Sequence, residues 1–385
     1  MDFAFDDTQR RWHDEAVTFA REHLAGDVLD RDHRGEFDRN GWAACGRFGI
    51  HGLPVPEPYG GRGQDLIATM AAMEGLGYAA QDGGLLMAIN ACLWTVTLPI
   101  LKYGTEGQKN RWLTRLAAGQ LVGANAASEP GAGSDVFGMT TRAQAAEGDA
   151  GGWVLNGRKT WCTAAPVADL FVVFASTSPE RKALGISAFL IPAGTPGLHV
   201  VREIPKMGTR TAPMGEIVLE DCRLPTDALL GRLHRGADIF QAALEWERGG
   251  ILSPTLGMMR RQLERCIAHA RKREQFGQPI GKYQAVSHRI VEMSMRLETS
   301  RLLVHKYAWK KARGEDATAE ASMAKIHVSE SATQNSLAAI QVFGALGFTV
   351  ENGAERELRD SIGAGIYSGT NDIQRNILAR RLGLG

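Results

Sequence analysis

The sequence is organised around one glycine-rich segment, Ala126-Ala127-Ser128-Glu129-Pro130-Gly131-Ala132-Gly133-Ser134-Asp135. It follows an apolar run over 121–124 and carries two glycines, one residue apart, between two serines. In such a loop several backbone N–H groups and two hydroxyls can converge on one anion, which is how loops hold a phosphate. Most glycine-rich turns are only sharp reversals of the chain. The remaining sequence must therefore decide between a phosphate-binding loop and an ordinary turn.

Length, charge and composition argue against several classes of protein. The chain has 385 residues, enough for two or three domains, and its 44 basic and 43 acidic residues leave a net charge of +1. This balance argues against an electrostatic surface for nucleic acid or for membranes. The ten histidines include no His-Glu-x-x-His motif, so no metal site is expected.

The cysteines and the N-terminal segment indicate in which cellular compartment the protein is expected. The five cysteines are odd in number, widely spaced and nowhere form Cys-x-x-Cys, which argues against disulfides and thiolate metal sites. Residues 1–7 are acidic where a targeting peptide would be basic, and no run approaches about 18 apolar residues. We therefore expect a soluble cytoplasmic protein without a membrane span.

The first 118 residues have the pattern of helices. Asp6 or Asp7 can cap a first helix, whose apolar residues recur at spacings near four. Helical patterns continue over 42–48, 66–78 and 84–101, and the segment 54–61 is rich in proline and glycine, as loops are. The sequence predicts an N-terminal helical domain over residues 1–118.

A different pattern follows, in which short β-prone runs alternate with turns. The runs cover residues 153–155, 159–162, 170–175, 188–191, 198–201 and 216–219. Asn156-Gly157, between the first two runs, is a strong hairpin signal. We predict a compact antiparallel β domain over residues 119–228, with the Ser128 loop near its entrance.

Long amphipathic helices are predicted for residues 229–385. Apolar residues fall on one face in three successive segments, around 256–267, 286–297 and 323–343. Three antiparallel helices of this length indicate a helical bundle. The predicted fold class is mostly α with a central β domain.

Five further motifs keep a fixed order along the chain: Trp161-Cys162-Thr163, Lys206-Met207-Gly208, Arg273-Glu274-Gln275-Phe276-Gly277, Gln341-Val342-Phe343-Gly344 and Ile366-Tyr367-Ser368-Gly369-Thr370-Asn371-Asp372-Ile373-Gln374-Arg375. Together with the glycine-rich loop they resemble the acyl-CoA dehydrogenase family of flavoproteins, from about residue 6 to 384. The resemblance implies a helical N-terminal domain, an antiparallel β-barrel-like middle domain and a C-terminal four-helix bundle. It also implies FAD, a homotetramer or dimer of dimers, and removal of two hydrogens from the α and β carbons of an acyl thioester.

The resemblance assigns roles to individual residues. Ser128 resembles the residue that bonds the flavin ring near N1, and Ser134 the one that reaches the pyrophosphate. Trp161 is similar to the residue that shields one face of the ring near N5, and Thr163 to the one that bonds its edge. The residues implied in holding the rest of the dinucleotide, the first three from a neighbouring subunit, are Arg273, Gln275, Phe276, Gln341, Gly344, Thr370 and Asp372.

The chemistry also needs a base, because the α proton must leave as the β hydride passes to flavin N5. Most of the family places a glutamate immediately before the final Gly-Thr, where this chain has Ser368. Members that resemble isovaleryl-CoA and long-chain acyl-CoA dehydrogenases place the base elsewhere, at a Glu-Arg pair that corresponds to Glu247 and Arg248. We therefore predict Glu247 as the base. Arg248 is then a candidate substrate contact, together with Tyr367, Ser368 and Gly369.

Three functions stay open on the sequence. The first is an FAD acyl-thioester dehydrogenase that uses Glu247 and passes electrons to an electron-transfer flavoprotein. The second is a relative that uses reduced flavin and oxygen for hydroxylation, and the third is a noncatalytic subunit of a heteromeric dehydrogenase. Asn125, Ala345 and Ser368 depart from the family pattern and argue against a straight-chain acyl-CoA. They leave room for a branched, bulky or carrier-protein-bound acyl group.

Overall fold

The structure is a computed structural model that describes residues 4–147 and 151–384. The first three residues of the acidic N-terminal segment lie outside this range. Helices come first along the chain, a β sheet follows, and a second set of helices closes the fold. This order confirms the predicted fold class.

Seven helices form the N-terminal part: α1 Asp7–His23, α2 Val28–Arg34, α3 Arg39–Phe48, α4 Leu66–Ala79, α5 Gly83–Cys92, α6 Leu98–Tyr103 and α7 Glu106–Ala117. Asp6 caps α1 in a capping box with Gln9, as its position before the first apolar residue predicts. The Asp65 and Asp82 side chains cap α4 and α5, each accepting a backbone N–H three residues on, without the reciprocal bond of a capping box. Short polar caps therefore define where these helices begin.

A π-helical segment, Leu93–Thr97, joins α5 to α6 into one continuous helical stretch. The stretch Gly83–Tyr103 has a mean hydropathy of 1.8 over its most apolar window, so its length and composition alone would allow it to cross a membrane. However, 83% of that window is buried inside the protein. It forms the central core helix, and π segments of this kind are frequent beside functional sites.

Eight strands build the middle sheet: β1 Gly123–Ala126, β2 Arg142–Ala145, β3 Trp153–Thr163, β4 Leu170–Ser176, β5 Ile186–Pro192, β6 Leu198–Glu203, β7 Met214–Leu224 and β8 Leu229–Leu230. Their order is β6-β7-β3-β2-β4-β5-β8, with β1 paired to β4. Most pairs are antiparallel, as predicted, but β1 and β2 run parallel to β4. The sheet is therefore mixed.

The predicted hairpin at Asn156-Gly157 is wrong. These residues lie inside β3, which runs unbroken through 11 residues and pairs with β7 on both sides of them. Gly157 forms a bulge instead, with a φ of 154° and its α carbon close against Thr141. The Asn156 side chain exchanges hydrogen bonds with Asp221 of β7, at 3.1 and 2.8 Å. Pairing along the whole strand therefore overrides the local turn signal.

The C-terminal part contains seven helices and a two-strand hairpin: α8 Gly236–Gly250, α9 Ser253–Lys272, β9 Glu274–Gln275, β10 Gln278–Pro279, α10 Gln284–Ala312, α11 Thr318–Phe343, α12 Ala345–Phe348, α13 Ala354–Gly363 and α14 Asn371–Arg381. Two glycines at the end of α8 allow close packing, because a Cβ on Gly249 would overlap Tyr307 and one on Gly250 would overlap Trp94. The domain boundaries at residues 118 and 228 stay predictions.

Candidate active site

The glycine-rich loop is fixed to the neighbouring strand β3. Thr160 donates its backbone N–H to the Ser128 carbonyl at 3.0 Å. The Lys159 ammonium, which is completely buried, donates to Glu129 at 2.9 Å and to the Ala127 carbonyl at 3.0 Å. The loop and the Trp161 motif are therefore brought together, as the resemblance implies.

Glu129 is the centre of this anchor. Its carboxylate also accepts the backbone N–H groups of Thr140, at 2.6 Å, and Thr141, at 2.9 Å. Burial opposes ionisation of Glu129, but Lys159 and these hydrogen bonds outweigh it and lower the pKa of the carboxyl to about 2. The carboxylate is therefore ionised at neutral pH. Burial lowers the pKa of Lys159, and its contact with Glu129 acts in the opposite direction. The pair holds the base of the loop in place.

The outer part of the loop is open. A Cβ at Gly131 or Gly133 would meet no atom within 4 Å. The Ser128 and Ser134 hydroxyls make no hydrogen bond to any part of the chain that the structure describes. Both hydroxyls and the space beside the glycines are thus available to a ligand.

Trp161 is displaced from the regular strand by a second irregularity in β3. The pairing with β7 shifts between Lys159 and Cys162, and Trp161 has a positive φ of 55°. Bulges of this kind re-aim a side chain, and here 50% of the tryptophan is exposed. Thr163, two residues on, has a hydroxyl without a hydrogen bond among the described residues. Together they present an aromatic face and a free polar group beside the loop.

The π-helical segment Leu93–Thr97 connects this loop to α8. Asn125, which precedes the loop on β1, donates to the Thr95 carbonyl at 3.4 Å. On the other side, Trp94 packs against Gly250 of α8. The end of α8 is therefore placed near the root of the glycine-rich loop.

Glu247 lies in the last turn of α8 and is only 8% exposed. Burial raises the pKa of its carboxyl to about 7, although the adjacent Ser368 hydroxyl, Arg248 and Lys325 favour the charged form. A carboxyl with a pKa near neutrality can take up and release a proton at physiological pH. Burial and a pKa near 7 are compatible with a general base, and the role of Glu247 stays a prediction.

Ser368 faces Glu247 from the turn before α14. It has a positive φ of 59°, and its carbonyl accepts hydrogen bonds from Arg248 Nε at 3.2 Å and from Gln374 Nε2 at 3.3 Å. Gly369 follows with its α carbon beside the Arg248 guanidinium. In this structure Arg248 therefore positions the turn that carries Ser368.

The buried Lys325 was not predicted as a site residue. Its side chain is completely buried on α11, and its ammonium donates to Asn371 Oδ1 at 2.9 Å. Burial lowers the pKa of Lys325 to about 7, while the Glu247 charge acts in the opposite direction. The sequence contained one indication of this burial. Lys325 falls on the same helical face as the apolar residues Ala321 and Val328, where a charged side chain is unusual.

A small cavity of about 60 Å³ lies between α4, α5, α9 and α13. Ile251, one turn after Glu247, and Tyr367, next to Ser368, both line it, together with Leu86 and Met87 of α5. At 10–15 Å³ for each water, this measure of volume corresponds to about five water-sized atoms. Neither Glu247 nor Ser368 is among its lining residues.

The remaining predicted cofactor residues divide into two groups. Thr370 caps α14 and Asp372 lies in its first turn, close to the beginning of α11, because Ser322 bonds Gln374 at 3.0 Å. The second group lies at the far ends of α9 and α11, which meet where His269 contacts Phe343. Its members are Arg273, Gln275, Phe276, Gln341 and Gly344.

These two groups do not meet within one chain. The 19 residues of α11 between Ser322 and Gln341 correspond to roughly 28 Å at 1.5 Å for each residue. All five residues of the far group are exposed, and Phe276 is 95% exposed at the tip of the β9–β10 hairpin. The far group is thus free to contact a ligand held by another subunit.

The donors near Ser128 fit FAD. Free serine hydroxyls and open glycines suit a phosphate, and the exposed Trp161 suits a flat ring. Thr370 adds the N-terminus of α14, which favours anionic groups. The fit rests on the loop and the bulged strand β3, which a hydrogen bond joins, and on the Ser368–Thr370 turn, which Arg248 ties to the end of α8.

Comparison with known proteins agrees with this arrangement. Family models match the acyl-CoA dehydrogenase N-terminal domain over residues 6–120, the middle domain over 124–222 and the C-terminal domain over 234–383. An L-prolyl-[peptidyl-carrier protein] dehydrogenase of Pseudomonas fluorescens is 40% identical over 384 residues, which cover 100% of both chains. The human mitochondrial short-chain specific acyl-CoA dehydrogenase is also 40% identical, over 88% of this chain and 81% of that protein.

A solved structure, described as "PigA with FAD and proline", has a TM-score of 0.97 and 38% identity and covers 100% of both chains. Matches of this length and identity establish the family, the fold and the cofactor together. The chain belongs to the acyl-CoA dehydrogenase family and is an FAD-dependent oxidoreductase.

Proposed function

We propose that this chain dehydrogenates an acyl thioester with Glu247 as the base, and that the acyl group is an L-prolyl residue on a carrier protein. One observation supports the choice of base above all others. The Glu247 carboxyl is buried beside Ser368, which occupies the position of the usual family base, and burial brings its pKa to about 7.

The residues divide the work as follows. FAD, held by Ser128, Ser134 and Thr163, would supply the acceptor for the hydride of the β carbon. Glu247 takes the α proton, so the substrate loses two hydrogens in total and becomes a 2,3-enoyl thioester. Arg248 and Gln374 hold the Ser368 turn in place, and Trp161 presents its exposed ring beside the loop.

One feature favours a carrier-bound prolyl group over a long-chain acyl-CoA. The prolyl-carrier dehydrogenase relative matches over the full length of both chains. A short-chain acyl-CoA is the second candidate, favoured by the human relative.

The test is anaerobic mixing of the FAD-loaded protein with an L-prolyl carrier-protein thioester, L-prolyl-CoA, butyryl-CoA and isovaleryl-CoA. We expect the flavin band to bleach fastest with the prolyl carrier thioester. Faster bleaching with butyryl-CoA would replace the prolyl substrate by a short-chain acyl-CoA. An absence of bleaching with every thioester would contradict dehydrogenation itself.

The working form and the partners belong to the same proposal. A homotetramer, or a dimer, would let Arg273, Gln275 and Phe276 of one subunit reach the dinucleotide of another, which the exposure of Phe276 supports. An electron-transfer flavoprotein is the proposed acceptor. A cytoplasmic location fits five free cysteines, all of them buried. Light scattering with and without FAD tests the assembly, and a monomeric holoenzyme would contradict it.

A further inference from the structure

The Ser368 hydroxyl has an unusual environment. Its Oγ is buried beside the Glu247 carboxyl, whose charged form it favours, but it makes no hydrogen bond of good geometry among the described residues, so its acceptor capacity is unused. Buried hydroxyls almost always have a partner, because leaving one unpaired forfeits its hydrogen bonds to water without replacement. An alanine at this position would avoid that cost, so the hydroxyl needs an explanation.

The backbone of Ser368 is also held in a strained conformation. A φ of 59° is unfavourable for any residue with a side chain, and such residues persist only where their surroundings enforce them. Here Gln374, itself completely buried, donates to the carbonyls of Ser368 and of Gly369, at 3.3 and 3.1 Å, and Arg248 donates to the first. The turn therefore keeps the hydroxyl beside Glu247.

The position of the hydroxyl suggests what it binds. Tyr367, the preceding residue, lines the small cavity, and Glu247 must approach the α carbon of the substrate. A group attached to that α carbon would therefore come within reach of Ser368. A hydrocarbon chain offers the hydroxyl no hydrogen bond, whereas an α-amine does.

We propose that Ser368 and Glu247 together form a subsite for the α-nitrogen of an α-amino acyl thioester. Ser368 Oγ accepts a hydrogen bond from the N–H of the substrate and donates its own proton towards the Glu247 carboxylate. Because the nitrogen and the α proton are on the same carbon, fixing the nitrogen points the α C–H bond at the base. This inference rests on the proposed function and identifies how a prolyl group is selected.

The experiment compares two thioesters on the same carrier protein, L-prolyl and cyclopentanecarbonyl. The second has the same ring but a carbon in place of the nitrogen. For each protein, anaerobic stopped-flow spectroscopy gives the second-order rate constant of flavin reduction. The ratio of the two rate constants reports recognition of the nitrogen, since any change in the Glu247 base affects both substrates.

Two variants remove the hydroxyl with opposite effects on the backbone. Ser368→Ala retains the strained conformation, and Ser368→Gly relieves it because glycine adopts positive φ freely. We expect both to lower the prolyl-to-cyclopentanecarbonyl ratio about 10- to 100-fold, the size of a hydrogen bond to a charged group. Thermal melting of the FAD-loaded proteins checks that both variants are folded.

The outcomes separate this inference from the proposed function. Suppose that the wild type oxidises the prolyl thioester and that both variants have the wild-type prolyl-to-cyclopentanecarbonyl ratio. The subsite is then overturned and the proposed function stands. If only Ser368→Ala lowers the ratio, strain rather than the hydroxyl is responsible, and the subsite is again overturned. If the wild type is reduced by neither thioester, the proposed function fails and the subsite with it.

Discussion

Replacing Glu247 by glutamine keeps the size of the side chain and removes the group that takes the proton. General bases contribute about 10²- to 10⁴-fold to a rate, so we expect Glu247→Gln to slow flavin reduction by at least 100-fold. FAD binding should be unchanged, because among the described residues no hydrogen bond joins the Glu247 side chain to the glycine-rich loop. The assay is anaerobic stopped-flow reduction by the preferred thioester.

The wild-type rate should depend on pH through the same group. A pKa of about 7 leaves about half of the bases ionised at pH 7 and about one-tenth at pH 6. Because only the carboxylate is active, the rate rises about tenfold from pH 6 to pH 8. This dependence should disappear in the residual activity of Glu247→Gln.

Glu247 also affects stability, with a sign fixed by its raised pKa. The unfolded chain has an ordinary glutamate pKa, so it loses this proton more readily than the folded protein and stability falls as the pH rises from 4.5 to 7. The difference in pKa between the folded and unfolded states lowers the free energy of unfolding by about 3 kcal/mol once the carboxyl is ionised. Glu247→Gln should therefore be up to about 3 kcal/mol more stable than the wild type above pH 8, as measured by urea unfolding.

Glu245→Gln is the matched control. Glu245 is two residues away on α8, but its carboxylate is bound to Lys311 Nζ at 2.6 Å and is not placed at Ser368. It should reduce flavin at nearly the wild-type rate. Full activity in Glu247→Gln, or equal losses in both variants, would refute the reasoning.

Three other variants test the surroundings of the site. Lys325→Met removes a positive charge that favours ionised Glu247, so the pH profile of flavin reduction should move to higher pH; an unmoved profile would remove Lys325 from the site. Trp161→Ala should weaken FAD binding about tenfold in a fluorescence titration, since an aromatic contact contributes about 0.5–1.5 kcal/mol beyond its area. The half-exposed Trp309 of α10 is its control, and an equal loss in Trp309→Ala would contradict the role of Trp161. Glu129→Gln leaves buried Lys159 without its partner and should lower stability by about 3–5 kcal/mol in urea unfolding, a cost that Lys159→Met in the same chain should partly reverse. Wild-type stability in Glu129→Gln would contradict the importance of this pair.

The helices could be predicted because their signals are local. Asp6 stands directly before an apolar period near four, and the observed α1 begins at the next residue. The long helices α9, α10 and α11 follow from the same periodicity. The failed hairpin at Asn156-Gly157 shows the limit of this approach, because the partner strand β7 lies about 60 residues further along the chain.

The site was predictable only in part, because many of its contacts join residues that are far apart in the chain. Glu247 and Ser368 were identified from motifs, but nothing local indicates that Arg248 bonds the Ser368 carbonyl, 120 residues away. The burial of Lys325 and the pairing of Lys159 with Glu129 depend on tertiary packing too. Charged residues are normally exposed, so the burial of Lys325 and of the Lys159–Glu129 pair could not be predicted from the sequence.

The most direct test of the account is mass spectrometry of an L-prolyl carrier protein after incubation with the FAD-loaded enzyme without oxygen. We predict that the prolyl group loses two hydrogens for each flavin reduced, and that Glu247→Gln forms this product at least 100-fold more slowly. An unaltered prolyl group, in a preparation whose flavin is bleached by butyryl-CoA, would contradict the proposed substrate.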